Sequence, residues 1–81
     1  MMTVRVLLFA SYADALGTSE LELELAKGST VRDVLSHLQS RPGAERLPPA
    51  PLVAINAEYA RLDDALSAND EVAIIPPVAG G

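Results

Sequence analysis

The chain has 81 residues, 49% of them hydrophobic, with a net charge of −5 and a pI near 4.5. That length fits one domain with enough apolar material for its own core. The absence of cysteine excludes disulfides, thiolate metal sites and any side-chain persulfide, the single His37 argues against a histidine metal cluster or catalytic dyad, and Lys27 and the scattered arginines form no phosphate-binding patch for nucleic acid.

Residues 3–10 read as a strand, with Val4, Val6 and Leu8 on one face and Arg5, Leu7 and Phe9 on the other. Both faces are partly apolar, as in a strand inside a sheet. Ser11 is placed to cap a short helix, with Asp14 at the capping-box position and Gly17 as the stop. Leu21, Leu23 and Leu25 then alternate with Glu20, Glu22 and Glu24. That pattern predicts a half-buried strand, its glutamates in water and guarding an edge.

Lys27-Gly28 is a turn. Thr30 and Asp33 form a capping-box pattern, and Val31, Val34, Leu35 and Leu38 make an apolar stripe at helical spacing. This is the main helix, with His37 off the stripe, and Arg41-Pro42-Gly43 ends it. A proline-rich loop runs to Pro51. Residues 52–55 predict a strand, Asn56-Ala57 a hairpin turn, and residues 58–60 a short return strand. One helical turn is expected over 63–66, a turn at Ala68-Asn69-Asp70, and a last strand over 71–75. The main helix supplies the crossover that lets the last strand lie parallel to the first. The expected fold is α+β: a β-grasp, ubiquitin-like roll with a mixed sheet and one main helix packed on one face.

The ending carries the chemistry. Pro76 and Pro77 cannot continue a sheet ladder, so they should end the strand and direct the following residues away from the body. Val78, Ala79, Gly80 and Gly81 would then reach about 13 Å as an extended arm. Gly80 and Gly81 have no side chains, so the arm can pass through a channel that fits only backbone. No Cβ crowds the Gly81 carbonyl when a nucleophile approaches. The expected organisation is a β-grasp domain over 1–77 and a tail over 78–81.

The segments Val4-Arg5-Val6-Leu7-Leu8-Phe9-Ala10, Thr30-Val31-Arg32-Asp33-Val34-Leu35, Val53-Ala54-Ile55-Asn56 and the whole stretch from Asn69 to Gly81 resemble the small, sulfur-carrier subunits of molybdopterin synthase. They span nearly the whole chain in that family's order. Asn69 stands where the family usually has glycine, and Ile74 and Ile75 stand where members often carry phenylalanine. The resemblance implies a role in molybdenum cofactor biosynthesis. An ATP-dependent adenylating enzyme, similar to a ubiquitin-activating enzyme, would join AMP to the Gly81 carboxylate. A sulfur donor, a sulfurtransferase or desulfurase, would displace AMP and leave a thiocarboxylate. The arm, from Pro76 and Pro77 through Val78, Ala79 and Gly80, would thread into the large synthase subunit. There it would give sulfur to a cyclic pyranopterin monophosphate. The chain would be a non-catalytic subunit with no tightly bound cofactor; the AMP adduct and the thiocarboxylate would be its covalent intermediates. A heterotetramer with the large subunit is implied by resemblance.

Phe9, with Tyr59 and Ile75, marks a candidate docking face on the sheet. A sulfur carrier for thiamine thiazole synthesis, a ubiquitin-like protein modifier and a plain interaction domain remain as alternatives. The amino-terminal residues show no signal peptide, and the apolar run from Val6 to Ala10 is too short to span a membrane, so the expected compartment is the cytosol.

Overall fold

The computed structural model describes residues 1–77. The elements in chain order are β1 (Met2–Leu8), α1 (Ser11–Leu16), β2 (Glu20–Leu25), α2 (Val31–Gln39), a 3-10 turn (Ala44–Arg46), β3 (Leu52–Ile55), β4 (Glu58–Tyr59) and β5 (Glu71–Ile75). The five strands form one mixed sheet in the order β2-β1-β5-β3-β4. β1 runs antiparallel to β2 and parallel to β5, while β3 runs antiparallel to both β5 and β4. This is the expected β-grasp arrangement.

Strand alternation decides the layers. Val4, Val6 and Leu8 of β1, Leu23 and Leu25 of β2, Val72 and Ile74 of β5 and Val53 of β3 turn to one side of the sheet and are buried there. Val31, Val34 and Leu38 of α2 meet them, with Tyr12 of α1 and Leu66 joining the same core. Burying a side chain the size of Ile74 stabilises the fold by about 1.5–3 kcal/mol. Leu21 at the start of β2 is only half-buried, so the leucine face of that strand closes toward its end.

α2 starts where the sequence places it. Thr30 and Asp33 form the capping box, and the Thr30 N–H donates to Asp33 Oδ2 at 2.8 Å. Two further N–H groups at this end, those of Val31 and Arg32, donate to the carbonyls of Asp64 and Leu62. This explains one departure from the sequence reading. Residues 63–66 do not form a helical turn; a turn at Leu62-Asp63 leads into an extended bridge between Ala65 and Thr30. Its carbonyls are used as acceptors by the free N–H groups of α2 and so do not close a local helix.

α1 departs in a smaller way. Ser11 is its first helical residue, and the cap is Ala10, at φ 48° and with no side-chain cap bond. The Ala10 carbonyl accepts from the Asp14 N–H, so the backbone closes the turn that a Ser11 hydroxyl was expected to close. The 3-10 turn was hidden in sequence by its Pro/Gly-rich surroundings. It packs against α1: Arg46 Nη2 donates to the Ala15 carbonyl at 3.2 Å, and the Tyr12 hydroxyl donates to the Pro48 carbonyl at 2.8 Å. Gly43 lies at φ 95°, and a Cβ there would collide with the Ala15 carbonyl oxygen.

The hairpin turn forms as expected, with Asn56 at φ 49° and Ala57 at φ 72°. Both central residues take the positive φ that a tight two-residue hairpin demands. Asn56 is held from both sides. Its Nδ2 donates to Asp70 Oδ1 at 2.9 Å, and its Oδ1 accepts from the Glu71 N–H at 3.0 Å. Asn69 also sits at positive φ, 69°, which asparagine tolerates.

Two predictions follow from the α1 contacts. Gly43→Ala should lower stability by about 2 kcal/mol or more, because backbone strain adds to a backbone collision. Gly28→Ala, at φ 87° with open space around it, should cost about 1 kcal/mol; urea unfolding midpoints compare the two. Burial raises the pKa of Tyr12 above its ordinary 10.0. The stability this contributes is therefore complete below about pH 10 and is lost as pH rises through the folded-state value. Tyr12→Phe should cost about 1 kcal/mol at pH 7 through the lost hydrogen bond and should flatten that alkaline decline, read by urea titration at a series of pH values.

Candidate docking face and tail root

The side of the sheet away from α2 is bare. Register places Leu7 of β1 opposite Ala73 of β5, Ala73 opposite Ala54 of β3, and Ala54 opposite Tyr59 of β4. Leu52 faces Ile75 in the same way at the end of the sheet. Phe9, one residue past β1, donates its N–H to the Ile74 carbonyl at 3.2 Å, which holds its ring beside the end of β5. Phe9, Tyr59 and Ile75, the three residues singled out in the sequence, therefore lie on one face. Together with Leu7, Ala54 and Ala73 they line an apolar groove of about 330 Å³.

Exposure separates the two aromatics of this face from the core, while Ala54 between the strands is buried. Phe9 is 45% exposed and Tyr59 77%, values no core aromatic has. Leu7, Ala54, Ala73 and Leu52 were not named as site residues in the sequence. Alternation gave their side of each strand, but only the pairing register brings them next to Phe9. The small side chains matter: alanines at 54 and 73 leave the groove between the larger rings. An exposed apolar surface of this kind is a candidate interaction site.

One margin of the face is acidic. Glu20, Glu22 and Glu24 of β2 point to the same side, opposite Leu7, Arg5 and Thr3. Arg5 lies between Glu20 and Glu71, with guanidinium nitrogens 3.5 and 3.7 Å from their carboxylates. Each of these groups is about half exposed, so the pairs add little to stability. They do set the arrangement of charge around the apolar centre.

The end of the sheet beside Phe9 is the root of the tail. β5 ends at Ile75, and Pro76, half-buried, and Pro77, exposed, follow outside the ladder. The remaining expected site residues, Val78, Ala79, Gly80 and Gly81, lie outside the described residues. Among the described residues, no helix is long and apolar enough to cross a membrane.

The model of the ThiS family matches residues 6–81. The chain belongs to the ThiS family. Among its relatives is the molybdopterin synthase sulfur carrier subunit of Chlamydomonas reinhardtii, 37% identical over 83 residues that cover 99% of this chain and all of that protein. SAMP1 of Haloferax volcanii, a small archaeal modifier protein, has the same fold at a TM-score of 0.83; it is 32% identical, over 98% of this chain and 99% of its own. A complex of subunits 1 and 2 of molybdopterin-converting factor from Helicobacter pylori contains a chain of the same fold, at 21% identity and a TM-score of 0.72 over 99% of this chain and all of that one. Membership of this ThiS family accounts for the sheet order and for the sequence resemblance at both ends of the chain.

If the bare face is a docking surface, Phe9→Ala should weaken binding to a large molybdopterin synthase subunit by about tenfold or more, as loss of a central aromatic anchor does. Its unfolding midpoint should stay close to the parent's. Surface plasmon resonance and urea unfolding read the two quantities, and unfolding of the variant would place Phe9 in the core.

Proposed function

We propose that this chain is the sulfur carrier of molybdopterin synthase and that Gly81 is the atom-bearing residue. The observation that carries the reading is the 37% identity with a molybdopterin synthase sulfur carrier subunit along the full length of both chains. The fold adds a physical argument: the apolar face and the last residues of β5 meet at one end of the sheet, so a partner that covers Phe9 and Ile75 also receives the chain that follows Pro77.

The chemistry runs in three steps. A carboxylate is a poor electrophile, so the Gly81 carboxylate attacks the α-phosphorus of ATP and releases pyrophosphate. This leaves a mixed anhydride with AMP as the leaving group. The outer sulfur of a persulfide donor then attacks the acyl carbon; the C–O bond to AMP breaks and a C–S bond forms, and a donor thiol cleaves the remaining S–S bond, leaving the thiocarboxylate and a disulfide on the donor. The terminal thiocarboxylate enters the large subunit and attacks a carbon of the pyranopterin precursor; a C–S bond forms there, a C–O bond breaks, and the oxygen leaves with the phosphate or as water. Hydrolysis of the acyl–sulfur bond leaves sulfur on the precursor and returns the Gly81 carboxylate. Two loaded carriers supply the two sulfurs of a dithiolene. Tethering keeps the sulfur at high effective concentration and in a fixed orientation. Lys and Arg for the precursor's phosphate would come from the large subunit, since this chain is acidic and its basic residues are scattered. The adenylating enzyme and the large subunit would use the same apolar face in turn, which keeps activation and delivery separate.

The reading is tested with the carrier made chemically as a Gly81 thiocarboxylate and mixed with the large subunit and precursor. Dithiolene should form in proportion to carrier, at two carriers per product. A chain extended by one bulky residue beyond Gly81, or lacking Gly81, should give none. Product from either altered chain would contradict the proposal.

A second reading, that of a protein modifier, is favoured by the 32% identity with SAMP1. It shares the activation step and differs in the acceptor, a lysine amine in place of a sulfur donor. Isopeptide-linked adducts of Gly81 on cellular proteins, found by mass spectrometry, would establish it.

A further inference from the structure

Among the described residues the sheet has two open edges, β2 and β4. β4 is only Glu58–Tyr59, too short to template another strand. β2 offers six residues and pairs with β1 alone. In this pair the Leu8 N–H donates to the carbonyl of Ser19 directly opposite, at 2.9 Å. The ladder alternates from there. Leu21, Leu23 and Leu25 turn their main-chain groups to β1, and Glu20, Glu22 and Glu24 turn theirs to the open edge.

The three glutamates are not equivalent. The Thr18 hydroxyl donates to the Glu20 carbonyl at 3.0 Å and accepts from the Glu20 N–H at 3.4 Å, which closes the first position of the edge. The Glu20 carboxylate is taken too, by Arg5 at 3.5 Å. Arg5 is opposite Glu22 in register, yet its guanidinium reaches Glu20 and Glu71 instead. Among the described residues, the N–H and C=O groups of Glu22 and Glu24 have no hydrogen-bond partner and their carboxylates no ion pair. β2 is thus open from Glu22 to Glu24, in main chain and in charge.

Unpaired main-chain groups on a strand edge are a template for strand addition. They alone would accept any strand; the carboxylates narrow the choice. On an added strand, the residues opposite Glu22 and Glu24 project to the same face as those carboxylates, so lysine or arginine there makes cross-strand ion pairs. The residue between them projects to the helix side of the sheet, beside Leu23 and the half-buried Leu21. An apolar residue there covers the part of Leu21 that the core leaves open. A second copy of β2 is the wrong occupant. It would set glutamate against glutamate, between chains that each carry a net charge of −5.

We propose that the β2 edge at Glu22 and Glu24 is a second interaction site, one that adds an extended segment of a partner protein with basic residues at alternate positions and apolar residues between them. The site is separate from the Phe9 groove, because β1 stands between β2 and the strands that carry Ala73, Ala54 and Tyr59. One chain therefore holds a partner on the groove and a strand on the edge at the same time. The inference does not depend on the sulfur chemistry at Gly81.

The test titrates the folded full chain, labelled with nitrogen-15, with a short synthetic peptide of alternating lysine and valine. One control peptide has the same residues in two blocks. Another is the alternating peptide N-methylated at its lysines, which keeps every charge and removes the N–H groups that the edge would accept. The alternating peptide should shift the Glu22 and Glu24 amide signals and slow their hydrogen exchange. Joint replacement Glu22→Gln and Glu24→Gln should weaken binding about fivefold or more at low salt. N-methylation should weaken it about tenfold or more, and Phe9→Ala should leave it unchanged. Equal binding of either control peptide means charge attraction alone and overturns the proposal. So do protection on β4 or in the groove, loss of binding in Phe9→Ala, pairing of β2 between two copies of the chain, and no binding at millimolar peptide.

Discussion

Strand β5 pairs in parallel with β1, from Arg5 opposite Glu71 to Leu8 opposite Ile74, and a parallel pair requires a crossover. Everything distinctive in this molecule depends on that pairing. The crossover contains α2, whose Val31, Val34 and Leu38 cover one side of the sheet. Covering one side leaves the other bare. The parallel sense also sends the end of β5 out at the pole where β1 ends, beside Phe9. A docking face and a tail root are thus consequences of one strand orientation.

Much of this was legible in the sequence, for identifiable reasons. The Leu/Glu alternation of β2 and the helical stripe of α2 each carry a single dominant period. The Asn56-Ala57 and Asn69 turns carry residues suited to positive φ or flanked by strands that enforce it. Phe9 was assigned to the face away from Val4, Val6 and Leu8 by alternation alone, and it is exposed there. What was not legible depends on tertiary partners. Residues 63–66 have a local preference for a helical turn, yet the carbonyls of Leu62 and Asp64 are claimed by the first N–H groups of α2. The Ala10 cap of α1 is a backbone solution that Ser11 gave no reason to expect. Ala54 and Ala73 line the groove because register places them there, and small residues in a strand announce no function.

The division between body and terminus has a physical logic. In the proposed role, the acyl carbon that reacts is carried beyond Pro77, and the folded part serves to position it. The apolar groove offers recognition through buried area, and the glutamates of β2 with Arg5 and Glu71 surround it with charge that can steer approach and orientation. In that role successive partners would use one face, because each would need the same thing from it, a fixed position for the residues that follow. The acidic surface suits this traffic, since a partner that binds an anionic pterin must itself be basic near its site.

The central claim is that Gly81 is loaded with sulfur in the cell. Intact mass spectrometry of the chain purified from its native host, grown under conditions that require molybdenum enzymes, tests it most directly. The account predicts a species about 16 Da heavier than the unmodified chain, an oxygen replaced by sulfur, with the increment confined to the carboxy-terminal peptide and the sulfur displaced by hydroxylamine to leave a terminal hydroxamate. Only the unmodified mass under those conditions, or an increment located on any other residue, would contradict it.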